Sequence, residues 1–262
     1  MIQKKYIVIT GASSGIGYET AKAFARRSKN LIIIARRRNK LESLRQEILA
    51  EYPNVDVIIK TVDLSILENV YQLYRDLKIY TLETWINSAG FGNYESVAQQ
   101  ELQKIEKMLC LNVTALTILS SMFVHDYKDV EGTQLINISS SGGYTIVPTA
   151  ITYCATKFYV STFTEGLAQE LKLSNGKMQV KVLAPAATKT EFGKVANNVR
   201  EYNYDRLFDT YHTSQEVAEF LLRLYDSSYV VGLVDRETFA FELSEPKFPY
   251  AGNSTYNQKI QN

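Results

Sequence analysis

Residues 10–17 read Thr-Gly-Ala-Ser-Ser-Gly-Ile-Gly, and this stretch decides the fold. It follows a short β-branched run at residues 6–9 and precedes residues 15–27, whose apolar positions have helical spacing. Glycines let the backbone turn tightly and approach a pyrophosphate closely, and the free N–H groups of the next helix favour negative charge. The stretch therefore predicts a strand, a phosphate-binding turn and a helix.

The rest of the chain alternates between short apolar runs and amphipathic segments. We predict further strands at 31–35, 55–62, 82–87, 134–138, 180–184 and 229–234, and helices at 41–50, 67–77, 102–123 and 153–173. Repeated strand–helix units of this length specify a parallel sheet that is covered on both faces. We therefore expect an α/β fold: a doubly wound parallel sheet of Rossmann type with helices on both faces, in a single domain spanning residues 1–262.

Composition narrows the classes of function. The formal net charge of +1 gives no electrostatic reason to expect a nucleic acid or an anionic membrane as partner. Cys110 and Cys154 are the two cysteines of the chain, so no disulfide framework is implied. We find no signal-peptide pattern and no segment near the roughly 20 apolar residues of a membrane span. We expect a cytoplasmic protein with no membrane or nucleic-acid partner.

Tyr153 and Lys157 form the first catalytic candidate. The two residues are four positions apart at the start of a predicted helix, so their phenol and ammonium lie on one helix face. A fixed positive charge stabilises a phenolate, which brings the tyrosine pKa towards the range useful for proton transfer. Alone this pair is a common helix pattern without function. Asn112 is a further residue to explain, because an asparagine among apolar helical neighbours needs hydrogen-bond partners if it is buried.

Together these motifs resemble those of the short-chain dehydrogenase/reductase family. The TGxxxGxG spacing of residues 10–17 matches that family and differs from the GxGxxG of most dinucleotide-binding folds. Residues 87–90, Asn-Ser-Ala-Gly, are similar to its NNAG motif, and residues 185–190 to its PGxxxT motif, with Ser88 and Ala186 as departures. The family's frequent VDGG ending is absent. The resemblance covers Lys5 to about Val199 and implies an oxidoreductase that interconverts a carbonyl and an alcohol.

The resemblance also implies catalytic roles for four residues. Ser140, between two other serines, is assigned by its 13-residue spacing to Tyr153. Tyr153 would exchange a proton with the substrate oxygen, which Ser140 would hold by a hydrogen bond. Lys157 would lower the tyrosine pKa and bind the nicotinamide ribose, and Asn112 would support a water-linked proton path to Lys157.

The resemblance further implies NADP(H) as the cofactor, which supplies the hydride. We expect it to contact a set of loop residues that follow the predicted strands. These are Gly11, Ser13, Ser14, Gly15, Ile16, Gly17, Arg36, Arg37, Asp63, Asn87, Ala89, Gly90, Tyr153, Lys157, Pro185, Thr188 and Thr190.

The preference for NADP(H) follows from the end of the second predicted strand. An NAD enzyme of this fold usually places an acidic residue there to bind the adenosine ribose, whereas this chain has Ala35. Arg36 and Arg37 follow and can bind a 2′-phosphate through charged hydrogen bonds. The arginines could instead merely solvate the loop. NADP-preferring relatives often carry a basic residue where this chain has Ser14, so Arg36 or Arg37 would carry the recognition.

Two segments depart from the strand–helix alternation. Residues 185–213 carry aromatic side chains among polar ones, and we predict that they cover the substrate, although these aromatics could simply pack onto the core. Residues 245–262 form a polar tail that we expect to be irregular. Helices 102–123 and 153–173 resemble those that pair across the family's main interface, so we expect a homodimer or homotetramer.

Two alternative functions stay open at this point. One is a non-catalytic NADP(H)-binding regulatory protein of the same fold, although such a protein need not keep a proton donor. The other is a methyltransferase, which would usually carry an acidic residue at the Ala35 position. We expect no metal site, because His125 and His212 are far apart in sequence and lack a cysteine or acidic cluster. The substrate is expected to be a small carbonyl compound or alcohol.

Overall fold

A computed structural model describes residues 4–251 of the chain. Its strands are β1 (Lys5–Thr10), β2 (Asn30–Ala35), β3 (Val57–Thr61), β4 (Thr81–Asn87), β5 (Gln134–Ile138), β6 (Gln179–Ala184), β7 (Thr188–Lys189), β8 (His212–Thr213), β9 (Val231–Val234) and β10 (Phe241–Ser244). Eight of them form one sheet in the order β10-β9-β6-β5-β4-β1-β2-β3, and β7 pairs with β8. All pairs of the large sheet are parallel except β9 with β10.

The helices connect these strands in the expected alternation. They are α1 (Gly15–Arg26), α2 (Arg38–Glu51), α3 (Leu67–Leu77), α4 (Leu102–Leu109), α5 (Leu116–Tyr127), α6 (Ile151–Leu173), α7 (Phe192–Ala196), α8 (Tyr204–Leu207) and α9 (Ser214–Asp226). A π-helical segment, Cys110–Ala115, joins α4 to α5, so the helix predicted at 102–123 continues to residue 127 with a local widening. The doubly wound, mostly parallel fold in a single domain is confirmed.

Side-chain alternation along the central strands builds a core on each face of the sheet. In β1, Ile7 and Ile9 enter the core formed with α1, α2 and α9, whereas Tyr6 and Val8 enter the core formed with α3 and α5. Successive residues of a strand point to opposite faces, so a run that is apolar throughout is buried on both sides. The unbroken apolar run of β2 follows the same rule.

The helical stretch Leu102–Tyr127 corrects one expectation from the sequence. By length and composition it is long and apolar enough to cross a membrane, whereas we expected no such segment. The physical reason lies in its packing: Leu116, Leu119 and Phe123 are buried against the sheet, and a helix that covers a sheet face carries many apolar residues.

Part of the predicted irregular tail lies against α6. The buried carboxylate of Glu165 accepts hydrogen bonds from the backbone N–H groups of Lys247 (2.6 Å) and Phe248 (2.9 Å) and from the hydroxyl of Tyr144. The ring of Phe248 stacks on that of Tyr144, with centroids 5.4 Å apart. Residues 245–248 are thus anchored, and residues 252–262 of the predicted tail lie outside the described residues.

The strand order places the functional region. It reverses between β1 and β4, and in such sheets ligands bind in the crevice at the carboxyl ends of the strands. The loops that follow β1, β4, β5 and β6 meet at this edge.

Candidate active site

The loop between β1 and α1 is shaped by glycines. Gly11 and Gly15 have φ angles of 71° and 58°, in the left-handed region that L side chains rarely adopt. A Cβ added to Gly11 would lie 2.8 Å from the Cα of Ala89, and one added to Gly17 would lie 2.6 Å from the carbonyl oxygen of Gly11. The loop therefore presses against the segment after β4 and leaves a cradle that a side chain would fill.

A cavity of about 660 Å³ runs from this loop to Tyr153 and Lys157. It brings together sixteen of the seventeen predicted cofactor residues. They are Gly11, Ser13, Ser14, Gly15, Ile16, Gly17, Arg36, Arg37, Asp63, Ala89, Gly90, Tyr153, Lys157, Pro185, Thr188 and Thr190.

Asn87 differs from that expectation, because its side chain points into the core beneath the cavity. Its amide accepts a hydrogen bond from Nε1 of Trp85 (2.8 Å) and donates to Oδ1 of Asn137 (2.9 Å) and Oγ of Ser120 (3.1 Å). These bonds satisfy a buried amide and tie β4 to β5 and α5. In this structure Asn87 supports the loop that follows it.

Tyr153, Ser140 and Lys157 meet at one end of the cavity. Ser140 follows β5, and its Oγ accepts a hydrogen bond from the N–H of Gly142 (3.0 Å). Lys157 lies one helical turn after Tyr153 in α6; its Nζ is 5.9 Å from the centre of the tyrosine ring and donates to the carbonyl oxygen of Ile138 (2.8 Å). The predicted Ser–Tyr–Lys set therefore shares one wall.

Burial dominates the electrostatics of this wall. It raises the pKa of the Tyr153 phenol, with Tyr94 adding to the rise and a hydrogen bond with Ser140 opposing it. Burial also lowers the pKa of Lys157 to about 8. The phenol is thus held neutral, the form that donates a proton. The lowering of the tyrosine pKa by Lys157 stays a prediction.

Asn112 lies in the π-helical segment, where the helix widens next to the cavity. Its amide donates to the carbonyl oxygen of Phe91 (2.9 Å) and to Oγ1 of Thr156 (3.2 Å), and it accepts from the N–H of Phe91 (3.1 Å). A Cβ on Gly90 would lie 3.0 Å from Oδ1 of Asn112 and 3.7 Å from Nζ of Lys157. Because Gly90 has no side chain, Asn112 and Lys157 can both lie next to its backbone. A proton path through Asn112 stays a prediction.

Arg36 and Arg37 line the opposite end of the cavity. The guanidinium of Arg37 donates to Oγ of Ser13 (3.0 Å) and of Ser14 (2.8 Å) and forms an ion pair with Glu191 (2.8 Å). Arg37 is the main cause that lowers the pKa of Glu191. Arg36 is more exposed, and its guanidinium lies 3.9 Å from the carboxylate of Asp63.

The segment 185–213 lies beside the catalytic wall. Four of its five aromatic residues line the cavity, namely Phe192, Tyr202, Tyr204 and Phe208, whereas Tyr211 hydrogen-bonds Asp205 and Lys189. The ring centroid of Phe192 is 5.2 Å from that of Tyr153. The N–H of Tyr94 donates to the carbonyl oxygen of Ala196 (2.9 Å), which joins the segment to the loop after β4.

Sequence reasoning missed several residues of the cavity. Tyr94 stands alone in a loop without a motif, and its ring centroid is 6.2 Å from that of Tyr153. Arg236 and Phe239 come from the turn between β9 and β10, far from every motif. The one signal was the aromatic character of Tyr94 close behind residues 87–90. Among residues 4–251, no group of three His, Cys, Asp or Glu side chains is arranged to hold a metal.

The chain is similar to known proteins over most of its length. The family model for short chain dehydrogenases matches residues 5–201. Dehydrogenase/reductase SDR family member 11 of Gallus gallus is 30% identical over 192 residues, which cover 71% of this chain and 75% of that protein.

Solved structures show the same similarity. A short-chain dehydrogenase from Sphingobium yanoikuyae in complex with NADPH is 30% identical, with a TM-score of 0.76 and coverage of 87% of this chain and 86% of that one. A short-chain dehydrogenase/reductase from Burkholderia phymatum in complex with NAD is 21% identical, with a TM-score of 0.75 and coverage of 87% and 89%. Similar folds thus occur in complexes with either cofactor.

Proposed function

Because the chain belongs to the short-chain dehydrogenase/reductase family, we propose that it is an NADP(H)-dependent carbonyl reductase acting on a small-molecule ketone or aldehyde and, in reverse, on the alcohol. The observation that carries the proposal is the meeting of Tyr153, Ser140 and Lys157 at one end of a cavity whose other end is the glycine loop. An acid–base group and a dinucleotide cradle in one continuous space are what such a reduction needs.

The residues of the cavity fit a dinucleotide. The cradle made by Gly11, Gly15 and Gly17 admits a backbone-bound pyrophosphate, with the start of α1 next to it. Lys157 would hold the nicotinamide ribose, and the 185–190 segment with Thr188 would border the nicotinamide. When bound, NADP(H) supplies or accepts the hydride.

The chain's own residues would carry the proton. The raised pKa of Tyr153 keeps its phenol protonated at neutral pH, ready to donate to the carbonyl oxygen of the substrate. Ser140 would donate a hydrogen bond to the same oxygen and fix its position. The ammonium of Lys157 would stabilise the phenolate left behind, because opposite charges favour the ionised form. Phe192 and Tyr94, packed around the phenol, would exclude water.

The preference for NADP(H) is supported by the position of Arg37. Its guanidinium hydrogen-bonds Ser14, the position at which NADP-preferring relatives often carry their own basic residue. Arg37 would thus supply, from the loop between β2 and α2, the charge that Ser14 lacks. Ala35 at the end of β2 leaves no carboxylate there to repel a 2′-phosphate. Arg36 would add a second guanidinium.

We also propose a homodimer or homotetramer that pairs through α4, α5 and α6. Large apolar side chains lie exposed on α4 and α6, including Leu102 (74%), Leu109 (43%), Ile151 (44%) and Tyr159 (39%). Exposed apolar residues that group on neighbouring elements mark a contact surface. Sedimentation that shows a monomer at micromolar concentration would contradict this assembly.

The experiment is turnover of a ketone and aldehyde panel, followed by NADPH absorbance, with wild-type protein and Tyr153→Phe. The variant keeps the ring and its packing but cannot transfer a proton, so kcat should fall about 10²–10⁴-fold. Binding of NADPH, measured by tryptophan fluorescence, should stay largely intact. A variant that retains more than about a tenth of wild-type kcat would exclude Tyr153 as the general acid. A wild-type protein that binds NADPH but reduces nothing would favour the regulatory alternative.

A further inference from the structure

The turn between β9 and β10 is closed by hydrogen bonds among its own residues, and two of its side chains, Arg236 and Phe239, line the cavity. Oδ1 of Asp235 accepts hydrogen bonds from the N–H groups of Glu237 (2.9 Å) and Thr238 (2.8 Å). The N–H of Asp235 donates to the carbonyl oxygen of Ala240 (2.9 Å), which closes the hairpin. Phe239 takes a φ of 56° within it, a conformation that only a well-determined turn holds. Arg236 is thus carried on the tip of a hydrogen-bonded turn.

Arg236 faces an aromatic part of the cavity. The cavity that Arg236 lines also has Tyr94, Tyr202, Phe208 and Phe239 in its walls. The positive charge of Arg236 reaches Tyr94, where it opposes the burial that raises the pKa of that phenol to about 12. Tyr94 in turn lies beside the proton donor, with its ring centroid 6.2 Å from that of Tyr153, so Arg236 and Tyr153 border the same stretch of cavity through Tyr94.

The charge of Arg236 has no acidic partner within the described part of the chain. None of the ion pairs found between residues 4 and 251 includes it. The two carboxylates that line the cavity, Asp63 and Glu191, lie beside Arg36 and Arg37 at the cofactor end. The substrate end therefore combines apolar walls with an uncompensated guanidinium.

Building on the proposed function, we infer that Arg236 binds an anionic group of the substrate, and that the substrates are ketones or aldehydes with an apolar body and a carboxylate remote from the reacting carbonyl. A guanidinium binds a carboxylate through two parallel charged hydrogen bonds, and aromatic walls bind the body between the two ends. In the reaction the carbonyl carbon gains a hydride, its oxygen gains the proton of Tyr153, and NADPH becomes NADP⁺. The carboxylate is unchanged and serves only to orient the substrate.

The test compares 4-oxo-4-phenylbutanoate with its methyl ester, which has the same carbonyl and body without the charge. A phosphonate of equal length distinguishes a phosphate-bearing substrate from a carboxylate. The proteins are wild type, Arg236→Ala, Arg236→Lys and Arg45→Ala, the last being an exposed arginine of α2 outside the cavity wall and outside segment 185–213. Arg236 is itself exposed, so its variants should fold, which circular dichroism and NADPH binding would verify.

We expect wild type to prefer an anionic ketone over the ester. Arg236→Ala should lower kcat/KM for the preferred anion about 10- to 150-fold, the range for a lost charged hydrogen bond, and should leave the ester unchanged. Arg236→Lys should give a kcat/KM for the anionic ketone between those of wild type and Arg236→Ala, because lysine keeps the positive charge but cannot form two parallel hydrogen bonds with a carboxylate. Arg45→Ala should match wild type. Preference for the phosphonate would support anion recognition and assign the anion to a phosphate.

Two results would overturn the inference, and they separate it from the proposed function. Equal use of acid and ester by wild type, or an equal effect of Arg236→Ala on both, would refute the anion site while ketone reduction still stands. No reduction of any member with NADPH or NADH, by protein that binds the cofactor, would refute the proposed function and this inference with it.

Discussion

The two arginines at the end of β2 offer the sharpest test of cofactor preference. Replacing Arg36 with alanine removes a guanidinium that is 67% exposed and lies 3.9 Å from the carboxylate of Asp63. A lost charged hydrogen bond to a 2′-phosphate is worth about 1.5–3 kcal/mol, or about 10- to 150-fold in kcat/KM for NADPH. The exposure of Arg36 favours the lower end of that range, because water and salt screen the bond. NADH, which lacks this phosphate, should be used at an unchanged rate.

Arg37 should behave differently, because it also holds the glycine loop. Its guanidinium is 42% exposed and hydrogen-bonds Ser13 and Ser14 besides pairing with Glu191. Arg37→Ala should therefore lower kcat/KM for NADPH by about 10- to 150-fold and also weaken the use of NADH, which contacts the same loop. The excess loss with NADPH measures the phosphate contact, and the loss with NADH measures the loop contact.

The assay is the initial rate of ketone reduction over a range of NADPH or NADH concentrations, at low and at moderate salt. Arg38→Ala is the matched control, since Arg38 pairs with Glu42 along α2, is 75% exposed and does not line the cavity. It should leave both rates unchanged. Wild-type protein that uses NADH as well as NADPH would refute the preference, whatever the variants did.

Three further predictions concern stability and pH. Gly143→Ala should destabilise the fold by about 1–3 kcal/mol, because its Cβ would overlap Oγ of Ser139 and lie 2.6 Å from the carbonyl oxygen of Lys157. Gly166→Ala, in open space on α6, should instead stabilise the fold by about 0.5–1 kcal/mol. Equal thermal unfolding temperatures for the two variants would contradict the close packing around Gly143. Glu165→Ala should raise hydrogen exchange in residues 245–248, whereas Glu165→Gln, which keeps an acceptor oxygen, should raise it less; equal protection in all three proteins would show that the carboxylate does not anchor this segment. Burial lowers the pKa of Lys157 to about 8, so this side chain is an ammonium below that pH and loses its charge above it. We therefore expect kcat for reduction to decline above pH 8, and we expect Lys157→Arg, which cannot deprotonate, to lack that decline in whatever activity it keeps. The same pH profile in both proteins would exclude Lys157 as the source of the decline.

Much of the fold was predictable because burial on both faces leaves a plain pattern. The apolar runs of β2 and β5 gave these strands to within one residue, and α3 matches its predicted bounds. β10 was missed because Phe241–Ser244 mixes apolar and polar residues at an exposed edge, where no periodicity is enforced. The π-helical segment was missed because it is only six residues long and lies within a long apolar helix, where it leaves no visible break in the spacing of apolar residues.

The candidate site was predictable where spacing along the chain fixes proximity. Tyr153 and Lys157 share a helix face by their separation alone, and the glycine loop needs its backbone angles wherever it lies. Asn87 shows the limit: its position after β4 was right, but Trp85 and Asn137 turn its amide into the core. Arg236 shows another limit, because a residue that reaches the cavity from a distant hairpin carries no local signal.

The hairpin between β9 and β10 supplies a part of the cavity wall that can be replaced without changing the rest of the fold. It is closed by its own backbone bonds, and β10 pairs with β9 alone at the sheet edge. Its tip can therefore change in length or composition without disturbing the parallel strands that carry the glycine loop and Ser140. Under the proposed role of Arg236, grafting tip residues 235–240 between relatives should change substrate choice, and natural divergence has the same route open to it.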